Sequence, residues 1–300
     1  ARTRPWVEDT IVNVYSTTKT MCALTALLLA DRGELDFARP VAHYWPEFAA
    51  EGKGAITVAQ LMAHSAGLSG WSAPMRKADL YDWDKATALL AAQAPLWEPG
   101  TAPGYHGLTQ GYLVGEVVRR IAGQSLGRLF AAEIAGPLGA DFHIGLPASE
   151  DGRVADLVPP QAGARLSEGE PSPLAANMMT NPPVDPLETR TRAWRAAEIP
   201  AANGHGNARS VARVQTLLAN GGVSAGTRIL SEAGVRRALE EQIVGDDLVL
   251  AMPVRFGLGY GLPSPARPFP NPDTLFWGGY GGSLVVADMN QRLCMAYAMN

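Results

Sequence analysis

Val12-Asn13-Val14-Tyr15-Ser16-Thr17-Thr18-Lys19-Thr20-Met21 opens a run that continues Cys22-Ala23-Leu24-Thr25-Ala26-Leu27-Leu28-Leu29-Ala30-Asp31-Arg32-Gly33. The run predicts a helix opening near Ser16, with Gly33 as its C-terminal stop. It is apolar on most faces, which marks a buried helix rather than an amphipathic one. Its longest apolar stretch, Met21 to Ala30 with Thr25 inside it, is far shorter than the ~20 residues a membrane span requires. Ser16 and Lys19 stand three apart and share one helix face, one turn from each other.

Outward from this helix, shorter helical patterns cover 57–64, 84–93, 108–122 and 125–135, with Ser125 as a cap for the last. Residues 146–204 hold Pro147, Pro159, Pro160, Pro171, Pro173, Pro182, Pro183, Pro186 and Pro200, a density that breaks helices and central strands. We expect a long ordered loop with short helical turns there, of the kind that walls active sites. Ser210 is expected to cap a helix ended by Gly221 and Gly222, and a further helix covers about 231–241. Strands are expected at Val254–Tyr260, Thr274–Trp277, Ser283–Ala287 and Leu293–Met299, the last two joined as a hairpin through Asp288-Met289-Asn290-Gln291. Helices first, then loop, helices and a strand meander make an α+β fold, not a βαβ repeat.

The chain has 300 residues, 47% hydrophobic and 18% charged, ample for a core without staples and incompatible with disorder or collagen-like fibres. Lys plus Arg is 25 and Asp plus Glu 29, for a net charge of −4 with no long run of either sign. No nucleic-acid partner is expected from that balance, and no membrane partner from the short apolar runs. Cys22 and Cys294 lie far apart in apolar runs and read as small core hydrophobes, not as a disulfide or zinc framework. A cytoplasmic location is expected over a periplasmic or secreted one, although the first residue is Ala1 and the native N-terminus is not visible.

Several chemistries are missing from the sequence. It carries no GxSxG elbow, no GxxxxGK[ST] loop and no HExxH. Gly278, Gly279, Gly281 and Gly282 do not open a helix after a strand. His43, His64, His106, His143 and His205 are scattered without metal-ligand spacing and read as structural. What remains is Ser16-Thr17-Thr18-Lys19, an S-x-x-K. By itself this pattern fits an exposed helix face as well as a nucleophile with its base. Two features favour the latter: the chain has only four lysines, and Lys19 sits in its most apolar helix, where a solvated ammonium is out of place. Burial lowers a lysine pKa and lets it take a proton from a neighbouring hydroxyl. Backbone N–H groups at a helix start suit a developing oxyanion.

The segments V-N-V-Y-S-T-T-K-T-M (12–21), L-A-D-R-G-E-L-D-F-A-R-P-V (29–41) and I-T-V-A-Q-L-M-A-H-S-A-G-L (56–68) resemble the serine β-lactamase and penicillin-binding-protein superfamily. So do the stretch from Pro99 to Gly123, G-H-G-N-A-R-S-V-A-R (204–213) and W-G-G-Y-G-G-S (277–283), in order over nearly the whole chain. The nearest resemblance is to its class C β-lactamase-like esterases, the family VIII carboxylesterases. The resemblance implies a β-lactamase/D,D-peptidase-like fold: an antiparallel sheet flanked by helices (1–40 and 205–300), a helical and loop-rich domain (41–204), and a site in the crevice between them. It implies Ser16 as nucleophile, Lys19 and Tyr105 sharing the base role, and the N–H groups of Ser16 and Tyr280 as oxyanion donors. Trp277, Gly278 and Gly279 would line the substrate.

Two departures bear on substrate. The second motif, usually Tyr-x-Asn, is Tyr105-His106-Gly107, and the third, usually Lys-Thr-Gly, is Trp277-Gly278-Gly279. The missing cation would leave a β-lactam carboxylate desolvated and unpaired. The expected activity is therefore serine carboxylesterase on short-chain acyl esters through an acyl-enzyme, with no metal or cofactor and a small-molecule ester as partner. A β-lactamase, D,D-peptidase or acyltransferase of the same fold is the alternative, and a catalytically dead binding scaffold is a third. Family members carry a helix and at least two strands before the serine motif and a helix after the last strand, so we expect the chain to be trimmed at both ends.

Overall fold

A computed structural model describes residues 5–159 and 170–300. Its first half runs β1 (Val12–Asn13), α1 (Thr18–Asp31), α2 (Val41–Tyr44), α3 (Val58–Met62), α4 (Trp83–Ala92), α5 (Thr109–Ala122), α6 (Leu126–Phe130), α7 (Gly136–Leu138) and β2 (Phe142–His143). The second half runs α8 (Pro173–Thr180), α9 (Arg192–Ala196), β3 (His205–Gly206), α10 (Ala208–Ala219), β4 (Val223–Ser224), β5 (Thr227–Arg228) and α11 (Glu232–Arg236). It closes with β6 (Ile243–Asp246), β7 (Pro253–Phe256), β8 (Thr274–Gly278), β9 (Leu284–Asp288) and β10 (Leu293–Tyr297).

The buried helix read from sequence is α1. Every residue from Thr18 to Leu29 is buried, and the helix packs against α5, α6 and α11. Its threonines fit an apolar interior because their hydroxyls bond back along the chain, Thr20 to the Thr17 carbonyl and Thr25 to that of Met21. Strands β8, β9 and β10 form an antiparallel sheet, with Trp277 opposite Val285 and Leu293 opposite Asp288. Gly261 bridges Phe276 of β8 to Phe256 of β7, and β7 pairs with β6, which extends the sheet. Helix α10 packs on β9 and β10. Tyr260 ties the layers together, its hydroxyl donating to the Thr20 carbonyl at 2.9 Å and meeting Gln215 Oε1 at 3.0 Å. Gly259, at φ +84°, lies so close to α1 that a Cβ would come within 2.5 Å of the Ala23 methyl, so only glycine fits there. A second small antiparallel sheet, β1-β3-β2, brings Asn13, His205 and His143 side by side.

Some expectations need correction. The helix does not begin at Ser16: Tyr15–Thr17 is a 3₁₀ turn, and α1 starts at Thr18. Ser210 is not the cap of α10. Asn207 caps it by accepting from the Ser210 N–H, and the Ser210 hydroxyl accepts from the Asn207 N–H, a reciprocal capping box. The expected strand 254–260 stops at Phe256, because Gly257–Gly259 turns the chain toward α1. The 231–241 helix is α11 plus a short 3₁₀ turn, and the 125–135 helix passes from α6 into a π turn. Cys22 is buried as expected, Cys294 only partly, and both thiols are free. Residues 160–169 of the proline-rich stretch lie outside the described residues. In its described parts, Pro173 and Pro186 open helical turns, where a missing N–H costs nothing. No helix among the described residues is long and apolar enough to cross a membrane.

One buried cation is purely architectural. Lys53 Nζ donates to the carbonyls of Ala50 (2.8 Å), Ala91 (2.9 Å) and Gln93, closing the C-terminal end of α4. There the ammonium meets the negative end of the helix dipole. Lys53→Met would leave these carbonyls without their donor. We expect a loss of about 2–4 kcal/mol of stability, read as a lowered midpoint of thermal unfolding, with unchanged kcat. An unchanged midpoint would show that the three contacts add nothing.

Candidate active site

Tyr15 holds φ +42°, a left-handed conformation that a bulky L-residue adopts only under constraint. The constraint is visible. Its ring packs edge-on against Tyr280 at 5.2 Å and against Trp194 at 6.4 Å. The Thr17 hydroxyl lies 2.9 Å from Ser283 Oγ, and the Ser283 hydroxyl donates to the Val14 carbonyl at 2.8 Å. The turn after β8 is thus fastened to the segment carrying Ser16. Gly279 makes that approach possible. A Cβ there would come within 2.3 Å of the Val14 carbonyl oxygen and 3.2 Å of the Ser16 nitrogen. Among the described residues, the backbone N–H groups of Ser16 and Tyr280 have no acceptor.

The Ser16 hydroxyl oxygen accepts from the Tyr105 phenol at 2.6 Å and from Lys19 Nζ at 3.2 Å. Lys19 is 1% exposed, and its Nζ also donates to the carbonyls of Gly107 (2.6 Å) and Ala201 (3.0 Å). The nitrogen sits 4.8 Å from the centre of the Tyr105 ring. Burial lowers the Lys19 pKa to about 7 and pushes the Tyr105 phenol well above its ordinary value. Residues 89 apart in sequence thus converge on one hydroxyl.

The segment presenting Tyr105 is held by neighbours that sequence reading did not assign to the site. His64, at φ +57°, accepts from the His106 N–H through Nδ1 at 3.0 Å. The His106 ring accepts from the Leu68 N–H through Nε2, and its Nδ1–H donates to the Gly104 carbonyl, which fixes a neutral tautomer. Burial lowers the pKa of both rings, that of His106 to about 4 and that of His64 well below its ordinary value. The Tyr105 N–H donates to Asp247 Oδ1 at 3.0 Å. None of the five histidines lines the cavity, in keeping with their structural reading.

Above Ser16 opens a cavity of about 530 Å³. Its walls are mostly apolar, with Met178, Met179, Val184, Leu250, Met252 and Phe276 prominent. Trp277, Gly278, Gly279 and Tyr280 also line it. Trp277, however, is only 6% exposed. Its indole is stacked on His64 at 5.4 Å and packs on Phe256 at 5.5 Å, so most of the ring is taken up by packing behind the site. Two cations that the motif comparison did not anticipate, Arg255 and Arg267, stand in the wall. Arg255 is paired with Glu241. Arg267 lies over the Phe276 ring at 5.1 Å and forms no ion pair among the described residues. No sequence signal links these arginines or Asp247 to Ser16: Arg255 reaches the cavity from β7, Arg267 and Asp247 from turns or loops of ordinary composition.

A family model described as Beta-lactamase matches residues 1–300. The esterase/beta-lactamase LipL of Mycobacterium tuberculosis is 37% identical over 284 residues, covering 86% of this chain and 63% of that protein. The chain therefore spans less than two thirds of that relative. The crystal structure of a family VIII carboxylesterase superposes with a TM-score of 0.94 at 48% identity, over 100% of this chain and 80% of that one. A penicillin-binding protein homolog from Caulobacter crescentus superposes with a TM-score of 0.93 at 41% identity, over the same shares of each chain.

Proposed function

The chain belongs to the β-lactamase family, and from that premise we propose that it is a serine carboxylesterase working through an acyl-enzyme. The observation that carries this reading is the convergence of Tyr105 at 2.6 Å and Lys19 at 3.2 Å on the Ser16 hydroxyl, beneath an apolar cavity. Relatives named as esterases, LipL among them, support it. This reading takes the crevice to lie between the unit formed by 1–40 and 205–300 and the unit 41–204, and it is supported by lining residues from both ranges.

In this mechanism Lys19 is the first base. A neutral amine has two N–H bonds, and two carbonyls, Gly107 and Ala201, take them. Loss of the ammonium's third proton, the one donated to Ser16 Oγ at 3.2 Å, leaves the lone pair facing the Ser16 hydroxyl, which then becomes the donor. A pKa of about 7 keeps a large share of Lys19 neutral at physiological pH. Ser16 Oγ attacks the ester carbonyl as its proton passes to Lys19. The oxyanion forms between the N–H groups of Ser16 and Tyr280. Collapse breaks the carbonyl–alkoxide bond. The Tyr105 phenol protonates the leaving oxygen and regains its proton from the Lys19 ammonium. Water then attacks the acyl-enzyme, delivers its proton to the same pair, and releases the acid and Ser16.

The second reading, a β-lactamase, is favoured by Arg267, a cavity cation without an acidic partner among the described residues. The test is kcat/KM for p-nitrophenyl butyrate against nitrocefin on one preparation. We expect the ester to exceed the lactam by at least about a hundredfold, since a lactam carboxylate finds no lysine at position 277. If nitrocefin wins, the chain is a β-lactamase and Arg267 is the first residue to replace.

A further inference from the structure

Asp247 lies on the loop between β6 and β7 and is 1% exposed. One of its oxygens, Oδ1, accepts three backbone N–H groups: Tyr105 at 3.0 Å, Val249 at 2.9 Å and Leu250 at 2.8 Å. The other, Oδ2, is buried without a partner among the described residues. Its main chain closes the same loop, donating to the Met252 carbonyl and accepting from the Ala251 N–H. A second stitch runs beside it, from the Leu248 N–H to the Pro103 carbonyl at 2.9 Å. A carboxylate is costly to bury, and hydrogen bonds to a charged acceptor are the strong ones. Three amides gathered on one oxygen make a rigid node. On one side of the node is the backbone that carries the phenol to Ser16; on the other are Leu250 and Met252, which wall the cavity.

We propose that Asp247 is a positioning residue: by holding the Tyr105 amide and the Leu248–Met252 loop as one unit, it sets the reach of the Tyr105 phenol to the Ser16 hydroxyl. The proposal rests on the esterase reading above. Asp247 itself touches neither the reacting atoms nor Ser16. It acts through Tyr105, whose other flank is fixed by the His106 N–H on His64. A side chain supported from both flanks has its hydroxyl placed to a fraction of an ångström, and small displacements of a catalytic group carry large rate penalties.

The experiment is a double-mutant cycle on kcat with p-nitrophenyl acetate and p-nitrophenyl octanoate, with circular dichroism as the fold control. Tyr105→Phe is expected to lower kcat about 10²–10³-fold. Asp247→Ala is expected to lower it about 10–100-fold on both esters alike, with KM for the acetate unchanged. Asp247→Asn keeps an acceptor oxygen for the three amides and should restore kcat to within about threefold of wild type. In the Tyr105→Phe background, Asp247→Ala should add less than about threefold, because no phenol remains to be positioned. Should Asp247→Ala fail to fold, Asp247→Ser takes its place in the cycle. A full, additive loss in the Tyr105→Phe background overturns the proposal, as does an unchanged kcat in Asp247→Ala. So does a loss confined to KM for the octanoate, which would make Asp247 a wall residue only. Ser172→Ala is the control: it removes the 3.1 Å bond to the Leu248 carbonyl of the same loop and should leave kcat unchanged. Wild-type turnover that survives Ser16→Ala would instead overturn the esterase reading, so the two failures are distinguishable.

Discussion

Ser16→Ala is expected to remove ester hydrolysis, lowering kcat/KM by at least about 10³-fold, and to abolish labelling by a fluorophosphonate. No neighbouring hydroxyl can take over. The Thr17 side chain is buried and engaged with Ser283 Oγ at 2.9 Å. The Thr18 hydroxyl accepts from the Gly204 N–H, and the Thr20 hydroxyl donates to the Thr17 carbonyl. The fold should be untouched, because Ser16 contributes one oxygen to two hydrogen bonds and nothing to the core. Far-ultraviolet circular dichroism and the unfolding midpoint are the controls. Retention of more than a few per cent of the activity in a folded Ser16→Ala protein would remove Ser16 as the nucleophile.

What the sequence made legible is what burial imposes over many residues. Helix α1 announced itself because an apolar pattern on every face has no stable place except an interior. Strands β8 to β10 did so through aromatic and aliphatic runs separated by a strong turn, in which Asp288 Oδ1 accepts from the Gln291 N–H. Strands β1 to β5 are two residues each, too short for any period, and exist only through their tertiary partners. The cap of α10 is ambiguous in sequence because Asn207 and Ser210 are both good capping residues, and only the geometry shows which of them stands outside the helix. In the site, Ser16 and Lys19 were legible through local spacing, and Tyr105 through a motif resemblance. Asp247 and Arg267 were not. Their importance lies entirely in which backbone or cavity they face, and neither has a neighbour in sequence that advertises it.

Lys19→Met tests the base and the electrostatics of the site together. Methionine preserves length and apolar bulk, so α1 and its packing should survive, while the proton acceptor is lost. We expect kcat to fall about 10³–10⁴-fold. In the wild type, kcat/KM should rise with pH through about 7, because only the neutral amine can take the Ser16 proton. Residual activity in the variant should lack that limb. Stability gives an independent readout. In the unfolded chain a lysine keeps its proton up to its ordinary pKa of 10.5, whereas in the folded protein Lys19 releases it at about 7. Between those values the unfolded state binds more protons, so stability rises with pH, and below about 7 the cost of the buried ammonium is felt in full. His64 and His106 act with the same sign, but their window lies below the ordinary histidine value of 6.5. Cys22, pushed up to about 12, acts with the opposite sign above its ordinary 9. From pH 7 to 9, Lys19 therefore dominates among these buried groups, with a gain on the order of 2 kcal/mol across the interval. The absolute stability of Lys19→Met is no guide, since the Gly107 and Ala201 carbonyls lose a donor while a buried charge disappears. The slope is the test. Thermal unfolding from pH 7 to 9 should steepen the wild-type stability and leave the variant nearly flat; an equal slope in both would mean that Lys19 stays charged in the folded protein and is not the base.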